Sequence, residues 1–265
     1  MDLAEARART SGGRTAASRH PWETARLAVV DRLIAAHATL APGSVVLDIG
    51  CGDTFVAEQL SSKYPGTRFC AVDTAFTEDL VASYRTRLAG TGVEPYASLD
   101  EMPAPRTPVA LVLLMDVIEH IADPCGFLRG LAARSYIDRQ TRFLITVPAF
   151  QALFCSHDTF LGHYRRYSSG LLRRQAAASG LAVDEVGYFF FSLLPLRLAQ
   201  VLKEWIAGSR APAATTGLVT WGGGPASAEV LRRVLVWDAS LALWLNRVGI
   251  VVPGLSNYAV CRKSV

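Results

Sequence analysis

Short, nearly continuous apolar runs recur along this chain, and after most of them apolar residues return at helical spacing. Residues 44–49, 67–72, 93–98, 109–115, 142–147, 181–191 and 257–262 read as strands. Apolar character on both sides of a strand is what parallel strands covered by helices require. Residues 55–60, 80–88, 123–133 and 168–179 read as helices, the last closed by Gly180. An amphipathic helix precedes the first strand, opened by His20-Pro21-Trp22 and carrying Ala25, Leu27, Val30, Leu33 and Ile34. Residues 148–167 read as a long polar and aromatic loop. This alternation predicts an α/β, doubly wound, mostly parallel, seven-stranded Rossmann-like sheet with right-handed crossovers. Ligands of such sheets sit at the carboxyl ends of the strands, where the strand order switches.

Composition narrows the class. With 265 residues, 51% of them hydrophobic, the chain has ample apolar surface for a large core. No apolar run reaches the roughly 18 uncharged residues of a spanning helix, and the Arg-rich N-terminus lacks an apolar signal core, so a cytoplasmic location is expected. A net charge of +4 is too mild to imply a nucleic-acid partner. Cys51, Cys70, Cys125, Cys155 and Cys261 are scattered, with no Cys-x-x-Cys pair, against both a disulfide framework and a zinc cluster.

The end of the first strand carries the chemistry. Val45-Val46-Leu47-Asp48-Ile49-Gly50-Cys51-Gly52 puts a carboxylate at the strand's end and two glycines in the turn, letting a ligand approach backbone N–H groups at the next helix's start. Asp73 ends the second strand, about 20 residues downstream, where an acid commonly binds a ribose diol. Together these predict a nucleoside-containing ligand. A dinucleotide fingerprint would need a glycine where Phe55 stands, and Asp48 is poorly placed beside a pyrophosphate, so a nicotinamide cofactor is disfavoured.

Asp48-Ile49-Gly50-Cys51-Gly52 resembles the first motif of class I S-adenosylmethionine-dependent methyltransferases. Asp116-Val117-Ile118-Glu119-His120-Ile121-Ala122-Asp123-Pro124 is similar to the segment after the fourth strand in the methyltransferase families called types 11, 12 and 23. Ile145-Thr146-Val147-Pro148-Ala149 is similar to their fifth strand and its exit. Gly162-His163-Tyr164-Arg165-Arg166-Tyr167 and Gly254-Leu255-Ser256 resemble a bacterial subgroup of them. The resemblance implies S-adenosylmethionine as cofactor, held by Asp48, Gly50, Cys51, Gly52, Asp73 and Asp116. One departure is Thr54, where the family usually has a further glycine, so contacts with the methionine part of the cofactor are expected to differ.

Asp116, Glu119 and His120 form a second constellation, since acids three residues apart with a neighbouring His can converge on a hard cation. His163 would add a ligand from the loop. The pattern is similar to the Glu-x-x-Glu-His motif of ubiquinone-pathway O-methyltransferases and to that of small-RNA terminal-ribose methyltransferases, with Asp in place of the first Glu. This resemblance implies Mg²⁺ or another divalent cation that lowers the pKa of an acceptor hydroxyl. The alternative is a metal-free pocket with His120, His163 or Glu119 as catalytic groups. His157 beside Asp158 is a weaker candidate. Trp22, Tyr164, Arg165 and Arg166 are expected at the acceptor, with one of the two arginines structural.

The expected organisation is a disordered lead over residues 1–19, a cofactor-binding methyltransferase domain over 20–191 and 250–265, and a helical cap or insertion over 192–249. Within the insertion, 192–207 and 230–248 read as amphipathic helices around a Gly, Ala, Thr and Pro-rich stretch, 211–226. A cap would favour a sizeable, partly apolar small-molecule acceptor; packing on the sheet or on a homodimer partner is equally expected. Membrane-surface contact is a weaker expectation, because these helices lack a Lys-rich polar face. The functional expectation is methyl transfer to a small or medium organic acceptor, at oxygen. The alternatives are an RNA-terminus 2′-O-methyltransferase and a non-catalytic cofactor-binding scaffold.

Overall fold

A computed structural model describes residues 19–208 and 224–264 of the chain. Residues 1–18 of the expected lead, and 211–223 of the small-residue stretch, lie outside the described residues. Seven strands form one sheet in the order β3-β2-β1-β4-β5-β7-β6. They are β1 Val45–Ile49, β2 Arg68–Val72, β3 Val93–Tyr96, β4 Val109–Met115, β5 Arg142–Pro148, β6 Leu181–Phe189 and β7 Ser256–Lys263. β1 to β5 pair in parallel, and β7 enters antiparallel between β5 and β6. The strand order reverses between β1 and β4, so the carboxyl ends of these two strands frame the ligand crevice that this topology offers.

Helices cover both faces. On one side lie α1 Pro21–His37, α2 Phe55–Lys63 and α3 Glu78–Arg87; on the other lie α4 Pro124–Ala132 and, beyond the short α5 Ser156–Phe160, α6 Ser169–Ala178. α1 begins where the His20 imidazole accepts from the Trp22 N–H at 3.1 Å, with Pro21 at the first position, which has no N–H to leave unpaired. Asp123 and Ser168 cap α4 and α6 by accepting from Gly126 and Leu171 N–H groups. β1 is buried along its whole length, as its apolar run requires.

The expected loop 148–167 is more structured than its polarity suggested. It holds a 3₁₀ turn, Gln151–Leu153, and α5, the latter organised around buried Asp158, which accepts from the Cys155 N–H at 3.0 Å, rather than around an apolar stripe. After β6 come α7 Leu194–Ala207 and α8 Pro225–Arg247. α8 starts five residues before the expected 230, since Pro225 and Ala226 suit a helix's first turn. It packs Leu235, Ala239 and Leu243 into the same core as α1. No helix among the described residues is long and apolar enough to cross a membrane.

Candidate active site

The turn after β1 is left-handed at both glycines, Gly50 with φ +69° and Gly52 with φ +63°. A Cβ on Gly50 would lie 2.7 Å from Val117 Cγ2, so only glycine lets this turn pass beneath the exit of β4. Thr54 adopts φ +67° without being glycine. Its hydroxyl donates to Glu58 at 2.6 Å and accepts from Arg87 at 2.8 Å, bonds that offset the strain of a β-branched residue there.

The amides of this turn are used differently from the expectation. Gly50 and Cys51 donate to the Val72 carbonyl at 2.8 and 3.3 Å. Gly52 donates to Asp73 Oδ2 at 2.7 Å, and Ala75 donates to Asp73 Oδ1 at 2.9 Å. What the turn offers a ligand is therefore charge rather than free amides of Gly50, Cys51 and Gly52. Asp73 is a fixed acceptor at the end of β2. Asp48 is fully buried and neither of its carboxylate oxygens has a partner. Burial, and then the nearby Asp73 charge, push its pKa up to about 7. A buried carboxylate without donors is costly unless a cation or donor group arrives. The ammonium and sulfonium of S-adenosylmethionine are such cations, so the residues present fit that group.

Asp116 leaves β4 with φ +54° and forms an ion pair with Arg26 of α1, whose guanidinium also lies 4.4 Å from the Trp22 ring centre. Arg19 reaches Asp53 and stacks on Phe55 at 3.7 Å. Neither arginine was expected at the site. Arg26 carried a signal in the sequence, since it falls on the same helical face as Val30 and Leu33, where a charge calls for a buried partner.

Beyond Asp116 the chain makes a 3₁₀ turn, Ile118–His120, rather than the start of a helix. Glu119, His120 and His163 converge there, with one potential ligand atom from each lying within 4.8 Å of the others. Glu119 is fully buried, both its oxygens lack partners, and burial followed by the Asp116 charge raises its pKa well above the usual range. Burial is also the first cause holding His120 down at about 3, so its imidazole is neutral. His163 Nδ1 meets Asp158 Oδ1 at 2.9 Å, and its ring lies edge-on to His120 at 4.6 Å. Asp158 in turn binds Arg166 at 2.7 Å and Arg197 of α7, and its pKa is lowered by His163 and the two guanidiniums against the opposing effect of burial. Asp116 is not among the convergent three, because its carboxylate turns to Arg26.

Of the two arginines expected at the acceptor, Arg166 is buried on Asp158 and the Ala149 carbonyl, while Arg165 is half-exposed and donates to the Ala122 carbonyl at 2.9 Å. Tyr164 is 60% exposed, and its N–H donates to the Glu119 carbonyl at 2.8 Å, tying the loop to the 3₁₀ turn. Trp22 is half-buried and packs 6.4 Å from Phe190. His157 does not join the convergent group. Asp158 is expected only as the neighbour of His157, and Arg197 falls on a helix face that reads as solvated; in the structure both are buried and paired with each other.

Sheet order, glycine turn and paired carboxylates define the fold class of the S-adenosylmethionine-dependent methyltransferases. A family profile described as a methyltransferase domain matches residues 22–186, more than half of the sequence, and the chain belongs to that family. It is 28% identical over 167 residues to a ubiquinone biosynthesis O-methyltransferase of Methylocella silvestris, covering 56% of this chain and 62% of the relative. A protein of the same description from Paramagnetospirillum magneticum is 30% identical over 122 residues, 43% of this chain and 48% of the relative. The chain thus spans roughly half to three fifths of these relatives' lengths. Among solved structures, the methyltransferase bound to the Trm112 activator of Haloferax volcanii superposes with a TM-score of 0.54 at 17% identity, covering 92% and 90% of the two chains. A sarcosine dimethylglycine methyltransferase from Galdieria sulphuraria gives 0.52 at 16%, covering 91% and 84%.

Proposed function

We propose that this chain transfers a methyl group from S-adenosylmethionine to a hydroxyl oxygen of a small or medium, partly apolar organic acceptor, with a divalent cation held by Glu119, His120 and His163. The observation that carries the cation is Glu119, a fully buried carboxylate with two unpartnered oxygens beside two imidazoles. A neutral His120 suits a ligand, and a group with so low a pKa makes a poor general base near neutrality. His163 completes the set, since a metal-bound imidazole normally has its other nitrogen held by a carboxylate, as Asp158 holds this one. The O-methyltransferase relatives support oxygen as the acceptor atom.

Bound S-adenosylmethionine supplies an electrophilic methyl carbon on a sulfonium, and a bound divalent cation would acidify an acceptor hydroxyl. The residues of the chain position and neutralise. Asp48 offers its charge to the cationic part of the donor, and Asp73 accepts from its ribose hydroxyls. Arg26, drawn to Asp116, holds α1 across the cleft and so helps exclude water. On this reading Trp22, Tyr164 and Arg165 grip the acceptor. As the methyl–sulfur bond breaks and the methyl–oxygen bond forms, the sulfonium becomes a neutral thioether, and the hydroxyl proton leaves to solvent. Alignment supplies most of the acceleration.

Calorimetry with S-adenosylmethionine, paired with Mn²⁺ titration followed by electron paramagnetic resonance, tests both parts. Donor binding in the parent and in Glu119→Gln, with Mn²⁺ bound by the parent alone, is expected. A parent that ignores the donor removes the methyl-transfer reading, and Mn²⁺ bound equally by both removes the cation.

A further inference from the structure

Twelve of the fourteen large hydrophobic side chains exposed among the described residues lie between Leu196 and Val251, the other two being Phe160 and Tyr164. A concentration of this kind marks an interaction surface rather than the scattered exposure of an ordinary protein. Its longest part is the outer side of α8. While Leu235, Ala239 and Leu243 pack inward, Val230, Val234, Trp237, Leu241, Trp244 and Val248 recur every four and three residues along the opposite side. This stripe is about 27 Å long at the rise of an α-helix. Trp237 and Trp244 are 63% and 59% exposed.

The charge beside the stripe says what covers it. A groove of about 330 Å³ between α1 and α8 is lined by Arg32, Ala35, Ala36, Ser240, Leu243, Trp244 and Arg247, with no acid among them. Arg32 and Arg247 have no ion-pair partner among the described residues, unlike Arg232 and Arg233, which share Glu229. The cationic edge is thus built from two elements, Arg32 of α1 and Arg247 at the end of α8. A two-fold pairing of α8 with a second copy would bring both sets of these arginines together with no acid in the groove to meet them.

We propose that the outer side of α8 and this groove dock on the surface of an anionic lipid bilayer. The valines, leucine and tryptophans sink to the headgroup boundary, where indole rings are favoured, and Arg32 and Arg247 meet lipid phosphates. α7 continues the exposed apolar character through Leu198, Leu202 and Trp205, while its Arg197 holds Asp158, the carboxylate that fixes His163. On the methyl-transfer reading, docking here favours an acceptor with a hydrocarbon portion resident in the bilayer; the docking itself does not rest on that reading.

Flotation of the full chain with vesicles tests the proposal without any turnover. The parent should float with vesicles of equal phosphatidylcholine and phosphatidylglycerol, not with phosphatidylcholine alone, and high salt should release it. Arg32→Glu with Arg247→Glu should weaken binding by roughly tenfold or more, since each basic side chain near an anionic surface contributes roughly fivefold. Trp237→Ser with Trp244→Ser should weaken it as well, and both pairs are solvent-facing enough to leave the thermal unfolding profile near the parent's. A parent that stays unbound, charge-reversed protein that floats equally, or a lipid-free dimer abolished by the tryptophan substitutions would each overturn it.

Discussion

At the scale of single residues, Asp48 shows how a candidate binding site opposes the stability of the protein that carries it. Its carboxylate is buried without donors, and its pKa is raised from 3.8 in the unfolded chain to about 7. A raised acid binds its proton more tightly in the folded state, so its ionisation destabilises the fold as pH rises from about 4 through 7, by up to about 4 kcal/mol. Asp48→Asn should therefore make the donor-free protein more stable than the parent at pH 8, with the gap closing near pH 4 and with donor affinity lost. Denaturant unfolding at the two pH values, with calorimetry for the donor, checks all three; a variant less stable at pH 8 would contradict the assigned cost. His163 illustrates the converse, a group whose usefulness depends on another. Asp158→Asn keeps the volume but removes the charge that binds His163, Arg166 and Arg197. On the proposed reading it should weaken Mn²⁺ binding by about 10–100-fold while donor affinity stays within a few-fold of the parent.

At the scale of elements, what was legible in the sequence follows from which forces are local. Strand runs such as Val109 to Met115 declare themselves because a strand buried on both faces needs apolar residues throughout, and the Gly50-Cys51-Gly52 turn declares itself because its φ values and the Val117 contact admit little else. Asp48, Asp73, Glu119, His120 and His163 could be picked out, since motif spacing and strand ends are sequence properties. The partners could not. Arg26 meets Asp116 across 90 residues of chain and Arg197 meets Asp158 across 39, and no periodicity encodes such a pairing. α5 was missed because a buried acid and not an apolar stripe organises it. The same logic governs the start of α7: the Phe191 and Ser192 N–H groups donate to Asp238 of α8 at 3.0 and 2.7 Å, and that carboxylate is 1% exposed. Asp238→Ala strands those donors and should cost about 2–3 kcal/mol, a fall in Tm of roughly 5–10 °C. Asp238→Asn, which still accepts one bond, should recover part of the loss; equal loss in both would show the charge itself to be required.

At the scale of the whole molecule, α1 is the piece that joins the candidate site to the far edge of the sheet. Its Arg26 pairs with Asp116 beside the crevice, and eleven residues further on His37 Nε2 meets Glu185 of β6 at 2.8 Å. Glu185 also accepts from the Tyr258 hydroxyl and, at 3.2 Å, from Asn246, so α1, β6, β7 and α8 share one polar knot. The His37 bond comes first among the causes that hold the Glu185 pKa down at about 2, against 4.5 in an unfolded chain. A lowered acid stabilises the fold above its unfolded pKa, and that stability is lost as pH falls from about 4.5 toward 2. The effect runs opposite to that of Asp48, whose protonation favours the fold, so the two must be separated by substitution rather than read from the parent's curve alone. Glu185→Gln should be less stable than the parent at pH 7, by about 2 kcal/mol for a group this buried, and the difference should shrink as pH approaches 2. Urea unfolding at pH 7, 4 and 2.5 measures it, and a difference that stays constant with pH would mean that size and hydrogen bonding, rather than the Glu185 charge, hold the far end of α1.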